Sequence, residues 1–408
     1  MSLNSNVMFT PGNISISDFE YSLPTDRIAS HPLSKRDESK LLIYRDGEIG
    51  SDVFKNIGNY LPEGSRLVLN NTKVVSARII FLKETGATIE VFLLEPVFPA
   101  DYSVSFSSHE PVVWKCMVGN QKRWKTDTLE RTVPQTDTKL KVRKSKKVSD
   151  GFEVEFSWTN TDLCFAQVVE LCGEVPIPPY LNRQSEEVDK YRYQTIYAQP
   201  EGSVAAPTAG LHFTPEVFSN LKKLGITPDY ITLHVGAGTF KPVKADVIIN
   251  HEMHTEHFLA DIDLIKGMSE CDNFRVVVGT TTLRTLESLY WLGVKASQNQ
   301  LCPPYFISQW EPYKTEPIPF KAAFYELWRH MEANGLETLM ASTQIIIAPG
   351  YNVQTADALV TNFHQPRSTL LLLVSAFIGE QWRDVYAYAL RNDFRFLSYG
   401  DSSLLFRS

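Results

Sequence analysis

Residues 202–240 read GSVAAPTAGLHFTPEVFSNLKKLGITPDYITLHVGAGTF, and this stretch decides the fold. A loop of small residues carries His212, an amphipathic segment follows, and an apolar strand leads through His234 into the small turn Gly236 to Gly238. Small residues let a ligand approach the backbone closely, and imidazole titrates near neutral pH. The stretch therefore predicts a small-residue loop and a strand that together hold a substrate.

Helix and strand alternate from residue 161 onward. The apolar segments ITLHV, FRVVVGT, TQIIIAPG and ADALVTNF are typical of strands that helices cover on both faces. Residues 66–158 contain short segments rich in β-branched and aromatic residues, which are typical of a small antiparallel barrel. We therefore predict an α/β main domain with a mixed or parallel sheet, formed by residues 1–65 and 158–408. Residues 66–157 are predicted to form an inserted antiparallel β-barrel domain.

The composition is that of an ordinary globular protein, with 43% hydrophobic and 21% charged residues among 408. No apolar run is long enough to span a bilayer, and no signal-peptide pattern is seen. The five cysteines are scattered and form no C-x-x-C pair, which argues against a thiolate zinc site and for a reducing compartment. We therefore expect a cytoplasmic monomer without a membrane partner.

Positive charge is concentrated in one segment. Residues 115–150 carry eleven Lys and Arg against four Asp and Glu, a balance of 11 − 4 = +7, whereas the whole chain carries −7. A local basic patch on an acidic body suits contact with a polyanion, although a solvated hairpin is the alternative. Trp124 within it either stacks on a base or packs in the core. The cations predicted to contact nucleic acid are Lys122, Arg123, Lys125, Lys141, Arg143 and Lys144.

The segment HEMHTEH at residues 251–257 suggests either a metal site or an acid–base pair. On a helix, two of its histidines would share one face as zinc ligands, but the HExxH pattern is absent. On a strand, His254 and Glu256 would face the same side, where the carboxylate orients the imidazole. We favour the acid–base pair and predict no metal. A zinc hydrolase built on His251, His254 and His257 is the alternative.

Two further segments begin where a predicted strand ends. TNFHQPRST at residues 361–369 places His364 and Arg367 before a helix, whose first N–H groups favour an anion. GTTTLRTLES at residues 279–288 ends a strand in hydroxyl groups and carries Arg284 into a helix. Ligands of α/β sheets sit at the carboxyl ends of strands. The alternatives are a capped loop and a surface ion pair of Arg284 with Glu287.

Together these stretches resemble the S-adenosylmethionine:tRNA ribosyltransferase-isomerases of the queuosine pathway. The matching segments run in family order over nearly the whole chain: DFEY, NNTKVVSAR, EVPIPPYLNR, YRYQTIYA, GSVAAPTAGLHFT, TLHVGAGTFKPV, HEMHTE, GTTTLRTLES, TNFHQPRSTLLLLVSAF and RFLSYGD. The resemblance implies an α/β domain with an inserted antiparallel barrel. It also implies that S-adenosylmethionine is consumed as a substrate and that the anticodon region of tRNA is the partner.

The reaction implied by the resemblance moves the ribosyl part of S-adenosylmethionine onto the aminomethyl group of a 7-deazaguanine at the tRNA wobble position. Adenine and methionine leave, and epoxyqueuosine-tRNA forms. Each step needs a group that titrates near neutrality, and arginine and aromatic side chains would hold the carboxylate and the sulfonium. The candidate catalytic residues are His212, His234, His254, Glu256 and His364. The candidate substrate-binding residues are Thr208, Ala209, Gly210, Gly236, Gly238, Thr281, Arg284, Asn362, Arg367, Tyr180 and Tyr193.

The chain also departs from the family pattern. The family usually shows leucine and lysine where this chain has Gln365 and Arg367, and residues 297–341 and a piece around residues 98–110 resemble insertions. These differences are those of a divergent paralogue. They leave two alternatives open, which are the same chemistry on a different acceptor and a non-catalytic RNA-binding relative.

Overall fold

The computed structural model describes residues 14–148, 151–236 and 245–407, in which nineteen strands and nine α-helices are found. The strands are β1 (Lys40–Arg45), β2 (Glu48–Val53), β3 (Arg66–Asn70), β4 (Lys73–Val74), β5 (Arg78–Leu82), β6 (Thr88–Phe98), β7 (Val112–Gly119), β8 (Thr128–Thr132), β9 (Lys139–Val148), β10 (Gly151–Trp158), β11 (Gly173–Glu174), β12 (Glu201–Ser203), β13 (Thr227–His234), β14 (Glu256–Asp261), β15 (Arg275–Val278), β16 (Phe306–Ile307), β17 (Thr338–Thr343), β18 (Ala358–Asn362) and β19 (Ser402–Phe406). The α-helices are α1 (Tyr102–Ser107), α2 (Phe165–Cys172), α3 (Asp189–Arg192), α4 (Pro215–Lys223), α5 (Ile262–Glu270), α6 (Thr280–Ser297), α7 (Phe320–Ala333), α8 (Thr369–Ile378) and α9 (Trp382–Arg391). None of these described helices is both long and apolar enough to cross a bilayer.

The larger sheet has ten strands in the order β16-β17-β14-β13-β3-β15-β18-β19-β1-β2 across the described residues. Its centre is parallel, because β13, β3, β15 and β18 all run in the same direction. Antiparallel pairs follow on both sides, where β14 joins β13 and β19 joins β18. The predicted mixed sheet is therefore confirmed.

Alternate residues of the central strands enter two different cores. On β15, Val277 packs in the core on one face, whereas Val276 and Val278 pack in the core on the other. Successive side chains of a strand point to opposite faces, so two apolar cores require a continuous apolar run. Helices α5 to α9 supply one core and α4 supplies part of the other. This arrangement explains the unbroken apolar segments in the sequence.

The smaller sheet is antiparallel, with seven strands in the order β11-β5-β6-β7-β10-β9-β8. It curls around a core that includes Trp114, Phe156 and Phe165, which α1 and α2 help to cover. Within the described residues no backbone ladder joins β8 to β5 or β11. Instead the Arg131 side chain of β8 donates to the Ile80 and Cys172 carbonyls, at 2.8 and 3.0 Å. The antiparallel sheet was predicted correctly, but the structure shows a curled half-barrel rather than a closed barrel.

The boundaries drawn from the sequence do not coincide with the edges of this sheet. The strand at residues 66–70 belongs to the ten-stranded sheet, and the half-barrel takes its strands from Arg78 to Glu174. The division into domains stays a prediction. Residues 297–341, predicted as an insertion, contribute β16, most of β17 and α7 at the outer edge of the ten-stranded sheet.

The strand predicted at TQIIIAPG was placed too late in the chain. The observed strand β17 ends at Thr343. Gln344 N still donates to Ile307 O of β16 at 2.9 Å, but the backbone of the next residues bonds to side chains. Ile345 O accepts from Arg284 at 3.1 Å, and the Tyr313 hydroxyl bonds to Ile346 O and Ala348 N, each at 3.1 Å. Apolar content alone could not distinguish a buried extended loop from a strand.

Candidate active site

Most of the predicted catalytic residues lie along one edge of the ten-stranded sheet. His234 ends β13, Asn362 ends β18, and Gly279 follows β15, so these three mark the carboxyl ends of parallel strands. Glu256 begins β14, which is antiparallel to β13, and it therefore lies at the same edge. Ligands of such sheets sit at this edge. The topology thus brings together segments that are far apart in the sequence.

His212 lies in the turn Thr208–His212 and bonds to residues from two other segments. Its Nε2 and the Asn362 Oδ1 are 3.2 Å apart, and its Nδ1 and the Ser39 Oγ are 2.8 Å apart. The Asn362 amide nitrogen donates to Leu397 O and Ser398 O, which fixes the amide oxygen toward the imidazole. Nε2 of a neutral His212 therefore carries the proton, and Nδ1 accepts from the Ser39 hydroxyl.

Burial determines the protonation of His212. The side chain is 4% exposed, and this burial lowers its pKa to about 4, although Asn362 and Asp401 act in the opposite direction. The imidazole is therefore neutral at pH 7. A neutral, oriented imidazole with a hydroxyl at hydrogen-bond distance can accept a proton.

A second group joins His254, Glu256 and Arg284. The His254 Nε2 lies 3.3 Å from the Glu256 Oε1, and the Glu256 Oε2 accepts a hydrogen bond from Arg284. Burial raises the pKa of Glu256, but the charge of Arg284 and the contact with His254 outweigh it and lower that pKa to about 2. The carboxylate is thus ionised at pH 7 and accepts from His254. The predicted pairing of His254 with Glu256 is present.

The alternative in which Arg284 forms a surface ion pair with Glu287 is wrong. Both side chains are buried, and Arg284 pairs with Glu256 while Glu287 bonds to the Tyr351 hydroxyl and to Thr355. Burial raises the pKa of Glu287. The Nη2 of Arg284 is buried and has no hydrogen-bond partner among the described residues.

His234 bonds to the Thr72 hydroxyl and stacks on a ring from the half-barrel. Its Nδ1 lies 3.2 Å from the Thr72 Oγ1, and the Tyr102 ring of α1 lies 4.6 Å away, inclined by 27°. Burial and the nearby His257 lower the pKa of His234 to about 4. The imidazole that ends β13 thus packs on α1, the helix between β6 and β7.

Gly202 lies against His234, and we expect Gly202→Ala to lower the turnover number about 10- to 100-fold. A Cβ there would be 2.5 Å from the His234 Nδ1 and would displace the imidazole. Gly86→Ala is the matched control, since both glycines have positive φ (+150° and +76°) but Gly86 has open space around it. Steady-state kinetics would check the prediction, and equal turnover of the two variants would contradict it.

His364 forms a separate group. Its Nε2 lies 2.9 Å from the Thr361 Oγ1, its backbone N–H donates to the Tyr386 hydroxyl, and its carbonyl accepts from Tyr21. Burial lowers the pKa of His364 to about 3. Arg367 follows in an exposed turn with φ +55°, where its Nε lies 3.7 Å from Glu20.

Several of the other predicted substrate-binding residues are packed against neighbouring side chains. Tyr193 is 1% exposed and packs edge-on to Tyr399, and the Tyr180 hydroxyl bonds to Ser398 at 2.6 Å. A Cβ on Gly210 would lie 2.0 Å from the Tyr197 hydroxyl, so this glycine is explained by packing. Ala209 is buried beside Gly210, Thr208 and Thr281 are half-buried, Gly236 follows β13, and Gly238 lies outside the described residues.

The predicted nucleic-acid contacts differ in their ion pairing. Lys141 and Arg143 of β9 pair with Glu130 and Glu155 of the neighbouring strands, at 3.2 and 2.8 Å. Trp124 is 3% exposed and belongs to the half-barrel core, with the Lys144 Nζ 4.8 Å from its ring. Of the two alternatives for Trp124, the structure therefore shows packing in the core. Among the six predicted contacts, Lys122, Arg123 and Lys125 are exposed and form no ion pair with another described residue.

A further cavity lies away from these residues, between α2 and the strands β4 and β12. It measures about 390 Å³, and its lining includes Lys73 of β4, Val169 of α2, Lys190, Gln194 and Glu201. This volume is in the range of small-molecule sites. None of the residues predicted to bind substrate lines it.

Sequence reasoning missed Ser39, Thr72 and Tyr102, which contact the predicted histidines. Thr72 lies in NNTKVVSAR, one of the segments that match the family pattern. Ser39 and Tyr102 lie in no such segment, and the sequence around them does not indicate a functional role. Among the described residues no group of three His, Cys, Asp or Glu side chains is placed to hold a metal ion. The metal-free site stays a prediction.

Comparison with known proteins decides the family. A family profile described as "Queuosine biosynthesis protein" matches residues 16–405. This chain belongs to that family. The resemblance identified from the sequence motifs is confirmed.

Members of the family match the chain over almost its whole length. The relative from Sulfurihydrogenibium sp. (strain YO3AOP1), named S-adenosylmethionine:tRNA ribosyltransferase-isomerase, is 37% identical over 96% of this chain and 99% of its own. Relatives of the same name from Halothermothrix orenii and Legionella pneumophila (strain Lens) are 38% and 37% identical. They align with 96% and 95% of this chain and with 99% and 98% of their own. The crystal structure of S-adenosylmethionine tRNA ribosyltransferase from Thermotoga maritima is 27% identical, covers 95% of this chain and 100% of that chain, and gives a TM-score of 0.45.

Proposed function

We propose that this chain transfers and isomerises the ribosyl part of S-adenosylmethionine onto 7-aminomethyl-7-deazaguanine at the tRNA wobble position. The products are epoxyqueuosine-tRNA, adenine and methionine. The family match over residues 16–405 carries the proposal, since the relatives are named S-adenosylmethionine:tRNA ribosyltransferase-isomerase. S-adenosylmethionine is then a substrate, and we place the reaction in the cytoplasm.

We propose separate roles for the histidines. The reaction needs a base for the proton beside the sulfonium and an acid for the departing adenine. Burial lowers the pKa of His212, His234 and His364, so these imidazoles are neutral at pH 7 and accept protons. We assign proton donation to His254, because the ionised Glu256 beside it would balance the charge of an imidazolium.

The assay follows from the stoichiometry. Purified protein is incubated with S-adenosylmethionine and tRNA that carries 7-aminomethyl-7-deazaguanine, and adenine and methionine are measured. We expect equal release of both products. Release with a small amine but not with this tRNA would indicate a different acceptor, which the change at Gln365 motivates. Binding of tRNA without any release would indicate a non-catalytic relative.

We further propose that the basic face of the half-barrel contacts the anticodon region. Its support is the group of exposed cations without carboxylate partners, since phosphate contacts by such side chains release counterions. We expect the double variant Lys122→Gln with Lys125→Gln to bind tRNA about tenfold more weakly at low salt. The slope of log Kd against the logarithm of the salt concentration should decrease by about 1 to 2.

The matched control for this prediction carries Lys222→Gln with Lys223→Gln, which removes the same charge from α4. Filter binding at several salt concentrations measures both double variants. Equal loss of affinity in both would attribute the effect to net charge alone and would remove the half-barrel from the interface.

A further inference from the structure

A small hollow beside His212 is lined by three arginines. Arg36, Arg192 and Arg395 border it, together with His212 and Ser39. Its volume is about 20 Å³, which is the space of a single small group rather than of a whole nucleoside. A larger ligand could therefore insert only one end here.

The positive charge in this hollow is not balanced. Arg395 pairs with Asp401, whose carboxylate lies 3.1 Å from the Arg395 Nη2 and accepts from its backbone N–H. Arg36 and Arg192 have no carboxylate within 4 Å among the described residues. Burial and the nearby charge of Arg192 lower the pKa of Arg36. Two half-buried guanidinium groups thus repel each other with no counterion at hand.

Backbone carbonyls hold these two arginines in place. The Arg36 Nη1 donates to Gln194 O at 2.9 Å, and the Arg192 Nη1 donates to Ser34 O at 3.0 Å. The second terminal nitrogen of Arg192 donates to Leu33 O, and its Nε is buried without a partner among the described residues. Positioned guanidinium groups with donors to spare bind oxyanions well.

We propose that this hollow binds the oxyanion end of a substrate, next to the imidazole of His212. The inference rests on the proposed function, whose substrates supply two oxyanions that could bind here. These are the methionine carboxylate of S-adenosylmethionine and a phosphate of the tRNA. The arginines first predicted for the carboxylate are engaged elsewhere. Arg284 pairs with the buried Glu256, and Arg367 lies in an exposed turn beside Glu20.

The first experiment needs no turnover. Inorganic phosphate is titrated into the folded protein by calorimetry at constant ionic strength. We expect saturable binding by the wild type, at least fivefold weaker binding by Arg36→Gln, and an intermediate affinity for Arg36→Lys, whose ammonium cannot form the bidentate contact. Arg329→Gln, which removes the same charge from the exposed face of α7, is expected to bind like the wild type.

The second experiment identifies the source of the oxyanion. If the carboxylate binds here, Arg36→Gln weakens binding of S-adenosylmethionine about tenfold and leaves tRNA binding unchanged, and an analogue without the carboxylate loses this difference. If a phosphate binds here, tRNA affinity falls instead and the salt slope decreases by about 1. Circular dichroism establishes that each variant is folded.

The inference is overturned if the wild type shows no saturable phosphate binding. It is also overturned if a folded Arg36→Gln binds phosphate, S-adenosylmethionine and tRNA as the wild type does. Absence of adenine and methionine release in a wild type that still binds phosphate would count against the proposed function alone.

Discussion

Glu256→Ala lowers the free energy of unfolding by about 3 to 5 kcal/mol, which is the largest stability effect that we expect in this protein. Glu256 and its ion-pair partner Arg284 are 1% and 4% exposed. The variant therefore leaves the Arg284 guanidinium buried without its carboxylate. Urea unfolding at pH 7 measures the loss. Glu380→Ala removes an exposed partner of Arg383 and is expected to change stability by less than about 0.5 kcal/mol.

The same ion pair predicts a pH dependence. The pKa of Glu256 is lowered from 4.5 to about 2 in the folded state, so the unfolded state binds the proton more tightly. The contribution to stability, about 3 kcal/mol, is therefore fully present above about pH 4.5 and is lost as the pH falls toward 2. The difference between wild type and Glu256→Gln should shrink between pH 7 and pH 3. A difference that stays constant would show that the carboxylate charge does not stabilise the fold.

His212→Asn is expected to reduce the turnover number about 10²- to 10⁴-fold while the protein stays folded. The neutral imidazole accepts from Ser39 at Nδ1 and donates to Asn362 at Nε2, and an asparagine cannot supply a base of similar strength. Because burial lowers the pKa of His212 to about 4, its contribution to kcat/KM should be constant from pH 7 to about pH 5 and should fall below that.

His330→Asn is the matched control for His212→Asn. His330 lies half-buried on α7, where its Nε2 lies 3.1 Å from the Tyr305 hydroxyl. The release assay for adenine and methionine, with thermal unfolding as the check of the fold, compares the two variants. Turnover of His212→Asn within twofold of the wild type would remove His212 from the catalytic residues.

The strands were predictable where a local pattern determines them. The apolar residues 276–278 of β15 are buried on both faces. The contact of His254 with Glu256 was predicted for a strand, and it is present although β14 begins only at Glu256 and His254 precedes it. Both features depend on neighbours in the chain, and the periodicity of strands is a local property.

The contacts that complete the site were not predictable, because they join distant segments. Ser39 reaches His212 across 173 positions, and Arg284 reaches Glu256 across 28, where an intrahelical partner seemed available to it at Glu287. The closure of the smaller sheet likewise depends on how β8 meets β5, which no single segment specifies. Packing of the whole sheet selects among such partners, and spacing along the chain cannot.

The position of β3 has a consequence for the order in which the chain folds. This strand lies in the middle of the ten-stranded sheet, yet its two neighbours, β13 and β15, follow only after the entire half-barrel. The half-barrel pairs strands that are mostly close in sequence, so its contact order is lower and loop closure costs less entropy. During synthesis on the ribosome, the amides of the half-barrel are therefore expected to become protected from hydrogen exchange first. At that stage β3 has no strand to pair with. Pulsed hydrogen exchange on stalled nascent chains should show protected amides in β5 to β10 before any in β3, and simultaneous protection would contradict this order.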